Sequence, residues 1–163
     1  MAIIAANLAF YLTGGASNAD PALSLGGVIS SVAFTDNTLQ NLFANVTPAE
    51  ALAGSVKYRA LSFKNLAAET AYGAVFYLSQ ETTSADTTVA IAYDATGAQD
   101  VADEDTAPTG VAFSTPLSLG AGLALGDVAA SGVKRIWFKR TVTAGAAQAA
   151  DEGKFTITVG SAP

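Results

Sequence analysis

The chain has 163 residues, no cysteine, no histidine and a formal net charge of −6, with an isoelectric point near 4.3. A domain of this size buries enough surface to fold without disulfides. The composition excludes thiolate metal sites, cysteine nucleophiles, histidine general bases and the Ser-His-Asp triad, and an acidic chain is a poor generic ligand for phosphate backbones.

The opening "MAIIAANLAFYLTGG" lacks a basic start, and Asn7, Tyr11 and Thr13 interrupt its apolar run, so it reads as mature sequence rather than a signal peptide. Leu8–Leu12 and Val28–Phe34 are the first strand candidates. "TPAEALAG" follows, with Thr47 as N-cap, Pro48 in the first helical position, Glu50 at the capping-box position and Gly54 as the stop. That short helix divides the chain into residues 1–54, an N-terminal arm or small β extension, and residues 55–163, a compact β domain.

From Ser55 onward the apolar period is two. Arg59, Leu61 and Phe63 alternate with Tyr58, Ala60 and Ser62. Val89, Ile91 and Tyr93 alternate with small residues, and Phe155, Ile157 and Val159 alternate with Thr156, Thr158 and Gly160. Ala74–Ser79, Val111–Ser114, Leu117–Leu119 and Val133–Val142 are further candidates. Short strands separated by turn residues, without long helices, predict an all-β sandwich or barrel. No run reaches the ~18 apolar residues of a membrane-spanning helix, so no membrane partner is expected.

The stretch "GAQDVADEDTAPTG", Gly97 to Gly110, reads as a solvated acidic loop. Its Asp100, Asp103, Glu104 and Asp105 offer oxygens, but their spacing does not match an EF-hand and the loop lacks the glycine that template needs. No metal or other cofactor is expected. Paired-carboxylate catalysis is disfavoured because the acids fall in polar loops, away from apolar strands that would raise a pKa. "LGAGLALG", Leu119 to Gly126, lacks the lysine and helix start of a phosphate loop and reads as strand and turn punctuation.

Charge is unevenly placed. Lys57, Arg59 and Lys64 share one strand, Lys134, Arg135, Lys139 and Arg140 share another, and only acids occur between Asn65 and Val133. Adjacent basic strands would give a positive flank able to orient a partner. In "VKRIWFKRTV", Ile136, Phe138 and Val142 form the better core face. That places Trp137 outward between Arg135 and Lys139, a composition suited to a protein interface. The alternative is that Trp137 is buried and the lysines keep an edge strand soluble. Too few aromatics accompany these cations for a single-strand nucleic-acid platform.

"YRALSFKNLAAETAYGAVFYL" and "LSLGAGLALGDVAASGVKRIWFKRTVTAGAAQAADEGKFTITVG" together resemble an immunoglobulin-like β-sandwich without the cysteine pair of antibody domains. With "SLGGVIS", "NLFANV", "EALAGSVKYR" and "SADTTVAIAYD", the chain resembles small virion proteins of tailed bacteriophages. The resemblance implies an immunoglobulin-like β-sandwich of short antiparallel strands with an N-terminal arm and one short helix. It also implies a non-enzymatic capsid decoration (cement) protein, made in the host cytoplasm and bound to the major capsid protein on the outside of the head as a dimer or trimer. Ile3, Ile4, Leu8, Phe10 and Leu12 expose more apolar surface than a free tail should. They are expected to pack on a neighbouring subunit or on the shell, with Arg135, Trp137 and Lys139 as a second contact. A tail or fibre component, or a bacterial carbohydrate-binding or adhesive β-sandwich module, are the alternatives.

Overall fold

A computed structural model describes residues 3–35, 38, 40–147, 149 and 151–160. Among the described residues there are eight strands: β1 (Leu8–Thr13), β2 (Ile29–Ala33), β3 (Ser55–Asn65), β4 (Ala71–Gln80), β5 (Thr87–Asp94), β6 (Leu123–Val128), β7 (Val133–Val142) and β8 (Lys154–Gly160). They form two antiparallel sheets, in the orders β2-β1-β3-β7-β5 and β6-β4-β8. The all-β sandwich expected from the alternating pattern is therefore what the chain adopts.

One helix, α1 (Pro48–Ala53), precedes β3. Thr47 Oγ1 accepts from the Glu50 amide at 3.2 Å, and the Thr47 amide donates to Glu50 Oε2 at 2.7 Å. This reciprocal cap satisfies two donors that a helix start leaves open. Gly54 ends the helix at φ +79°, where a side chain would meet the Val142 carbonyl at 3.1 Å.

The core lies between the sheets. Leu61, Phe63, Ile91, Ile136 and Phe138 from the larger sheet meet Ala74, Phe76, Leu78, Leu125 and Val128 from the smaller one. Phe76 and Phe138 stack edge to face at 5.8 Å between centroids. Aromatic pairs in this geometry add to simple area burial.

Several local expectations change. Residues 111–114 and 117–119 are not strands. The first makes only an isolated bridge, Ser114 to Ile91, and Leu119–Ala121 is a 3-10 turn. The strand at this point is β6, just beyond that turn. The N-terminal segment is not a free arm: β1 pairs with β3 from Leu8–Asn65 to Tyr11–Ser62. Phe10 stacks on Phe63, Phe76 and Phe155 within the core.

Trp137 takes the second of its two expected placements, the buried one, and not that of an exposed contact residue. It does sit on the opposite face from Ile136 and Phe138, but it is fully buried. Its neighbours across the sheet are Ala60 on β3 and Ala92 on β5. These small side chains leave a trough on the outer face in which the indole lies. Residues 97–114 fold back over that trough, so Val101, Val111 and Phe113 pack against it. The acidic stretch is thus a cover for the larger sheet rather than a wholly solvated loop.

Candidate functional site: the basic strand pair and its cover

β3 and β7 are neighbours with Lys57 opposite Arg140 and Arg59 opposite Phe138. The sequence therefore does bring its basic residues together, but it takes the three arginines among them out of solvent. Arg59, Arg135 and Arg140 are all buried.

Arg135 lies on the outer face beside Trp137. Its Nε donates to Ser62 Oγ at 3.0 Å, and a terminal nitrogen donates to the Gly27 carbonyl at 2.6 Å. Burial pulls this guanidinium below its ordinary pKa, opposed by the charge of Asp94. Asp94 is buried too, which works against its charge. Hydrogen bonds from the Thr96 hydroxyl and the amides of Gln99, Gly97 and Thr96 outweigh that and hold its carboxyl low. Arg135 and Asp94 thereby tie the start of the cover to β5 and β7.

The second cluster occupies the other end of β3, on the inner face. Lys57 Nζ lies 2.5 Å from Glu50 on α1 and 2.7 Å from Glu104 in the cover. Arg59 donates to Glu104 and to the Tyr58 carbonyl. Arg140 donates to the Ala44 carbonyl at 2.6 Å. Phe43 caps the group, with the guanidinium carbons of Arg140 and Arg59 at 5.0 and 5.7 Å from its ring centroid. Burial opposes the charge of Glu50, but Lys57 and the Thr47 cap hold its pKa at about 2. Burial likewise opposes charge on Lys57, and the two glutamates reverse that effect and raise its pKa.

The lysines are used on aromatic rings. Lys64 lies over Tyr11, Lys134 over Tyr93 and Lys139 over Phe113, each within 5.8 Å. Lys154 pairs with Glu152 at 3.1 Å. The expected free positive flank is therefore absent among the described residues: every cation of β3 and β7 has a partner within the chain. Of the residues expected to contact a partner, Arg135 and Trp137 are buried, Lys139 is half-buried against Phe113, and Ile3, Leu8 and Phe10 pack against the core. Ile4 remains exposed at 61%. It lies at the end of the sandwich where Leu66 bonds to Asn7 and Val133 pairs with Lys64, and both Leu66 and Val133 are exposed as well.

Glu104 and Phe43 were not singled out from the sequence as members of this cluster. The available signal was an acid in the loop and an aromatic in "NLFANV", with nothing local to connect either to β3. Among the described residues, no three Asp or Glu side chains converge as a metal site. A hollow of about 110 Å³ opens beside Arg59, bordered by Asp20, Pro21, Leu42 and Ala44. That is room for a few waters.

The arrangement defines an all-β sandwich whose charges serve its own architecture. No family model, curated protein or solved structure matches the chain.

Proposed function

We propose that this protein is a non-enzymatic structural component of a tailed-bacteriophage virion, a decoration protein seated on the outside of the head. The observation that supports this reading most is how the charge is spent. The buried cations are held by Glu50, Glu104, Asp94 and backbone carbonyls, which leaves them bonded rather than poised for reaction. Outside lie acids, with Asp20, Asp100, Asp103, Asp105 and Asp127 exposed, and exposed apolar side chains, of which Ile4, Leu66 and Val133 share one end of the sandwich. An exposed apolar group at one end suits a protein that attaches by shape and contact. The resemblance of "NLFANV", "EALAGSVKYR" and "VKRIWFKRTVTAGAA" to phage virion proteins points the same way.

On this proposal the partner is the major capsid protein, the bound form is a dimer or trimer, and the apolar end faces the shell. The test is cosedimentation of the purified chain with DNA-free capsids of the same phage, at low salt and at ~1 M salt, where the Debye length falls to about 3 Å. Binding that saturates at a fixed ratio to capsid subunits and persists at high salt is expected. Ile4→Asp with Leu66→Asp should abolish it while leaving thermal unfolding unchanged. A wild-type chain that does not sediment with capsids in either salt overturns the proposal.

A further inference from the structure

Residues 97–114 cover an apolar face yet contain no strand or helix. A run this long without secondary structure is uncommon inside a domain and is usually functional. Its backbone attachments are few. Near its start, the Gly27 amide donates to the Gln99 carbonyl and the Val101 amide to the Leu25 carbonyl, both at 3.0 Å. In the middle, the Tyr58 amide donates to the Glu104 carbonyl at 2.7 Å. At the far end, Ser114 and Ile91 exchange bonds at 2.8 and 2.9 Å. Between Glu104 and Ser114 the segment is held by side-chain packing, from the partly buried Val111 and from Phe113, which also lies under the Lys139 ammonium at 5.5 Å.

We propose that this segment is a strap that opens as a unit, latched by Glu104, and that its opening bares the face around Trp137 while both sheets remain folded. Among the described residues, Glu104 is the one side chain in the strap that forms ion pairs with the body, and it meets two cations of β3. The same residue also supplies the carbonyl that Tyr58 uses. Breaking the side-chain contacts therefore loosens the central attachment. The face beneath is apolar and preformed: Trp137 with Ala60 and Ala92, bordered by Tyr58. It rests on β3, β5 and β7, whose ladders do not involve the strap.

The charges facing Glu104 are Lys57 and Arg59 on β3, Arg140 on β7 and Glu50 on α1. Asp103 and Asp105 flank it within the strap and are exposed, and Asp20 borders the hollow beside Arg59. When Glu104 loses its charge, Lys57 keeps Glu50, but buried Arg59 is left with the Tyr58 carbonyl and the ring of Phe43, neither of them a counter-ion. A buried cation without its counter-ion disfavours the closed arrangement. Burial opposes the Glu104 charge, and hydrogen bonds from Lys57 and Arg59 more than offset it, so the carboxyl titrates below its ordinary range. The latch is therefore complete above the unfolded value of about pH 4.3 and is lost as pH falls through the lower folded value.

Hydrogen exchange of the full chain tests this, comparing wild type with Glu104→Gln at neutral pH. Loss of a hydrogen bond to a charged group should raise the opening equilibrium about 30-fold, or about 2 kcal/mol at 1.4 kcal/mol per decade. The amides of Gly27, Tyr58 and Val101 should exchange faster by about that factor, while those of Ile136 and Phe138 hold their protection. Acrylamide quenching of Trp137, the only tryptophan, should rise in parallel. If Glu104→Gln fails to fold, the wild type titrated from pH 7 to about pH 3 serves instead, with quenching rising before far-ultraviolet circular dichroism changes. Uniform acceleration of all amides overturns the proposal. So does unchanged exchange, or a quenching change that coincides with loss of β-structure.

Discussion

Replacing Trp137 by alanine tests whether the outer face of the larger sheet is a second core. The indole is fully buried between Ala60 and Ala92, under Val101, Val111 and Phe113. A side chain of this size removes roughly 200 Å² from water. At about 25 cal/mol per Å² that is worth ~5 kcal/mol. Two effects reduce the loss. Alanine keeps its own methyl group, and the indole Nε1, which has no hydrogen-bond partner in its buried position, no longer has to be desolvated. Relief of an unpaired donor recovers ~1–2 kcal/mol. The expected destabilisation is therefore about 3–4 kcal/mol, a fall of about 10 °C in Tm for a domain of this length. Trp137→Phe provides the internal control. It keeps most of the packing and deletes the unpaired donor, so it should cost less than ~1.5 kcal/mol. Urea unfolding followed by far-ultraviolet circular dichroism measures both. A cost under ~1 kcal/mol for the alanine variant would refute the second-core argument, since the cover would then be resting loosely on the sheet. A cost above ~3 kcal/mol for the phenylalanine variant, which keeps most of the packing, would refute the claim that the indole donor is unpaired.

Gly26→Ala should be severely destabilising, because at φ +91° its side chain would stand 2.2 Å from the Gln99 carbonyl and 2.8 Å from Trp137. Gly73→Ala, at φ +55° with open space around it, should cost only the ~1 kcal/mol of left-handed strain, and paired thermal melts decide between them. Deleting residues 2–12 should abolish the cooperative melt altogether, since it removes most of β1 along with Phe10 and Leu12; a truncated chain that still unfolds cooperatively would show that β1 is dispensable. Stability should fall on acidification from about pH 5 towards pH 2, because Glu50, at about 2, and Glu104 both titrate below their unfolded values and lose their contribution as they protonate; urea midpoints that are flat across this range would contradict that.

The alternation in β3, β5 and β8 was legible because one of their faces is apolar and the period of a strand is fixed. The capped helix was legible because its signals are local: Thr47, Pro48, Glu50 and Gly54 interact within one turn. β6 was obscured by Gly122 and Gly126, which interrupt the pattern on both sides of Leu123–Leu125. The surroundings of β7 were not legible for a different reason. Alternation in "VKRIWFKRTV" correctly separates Ile136 and Phe138 from Arg135, Trp137 and Lys139, but it cannot say what lies above the second set. That depends on segments far away in the chain. Arg135 donates to Gly27 across 108 positions and Arg140 to Ala44 across 96, while Glu104 reaches Arg59 across 45. A guanidinium is tolerated inside a fold when such carbonyls and carboxylates arrive to meet its fixed donors. An arginine on a strand therefore carries the same local signature whether it greets a partner or holds a distant loop. In this chain the acid-rich stretch opposite the basic strands is itself the nearest partner: the charge separation that suggests an intermolecular contact is consumed by an intramolecular one. Ile4, Leu66 and Val133 are apolar and still exposed at one end of the folded chain, and are the better guide to where another molecule would sit.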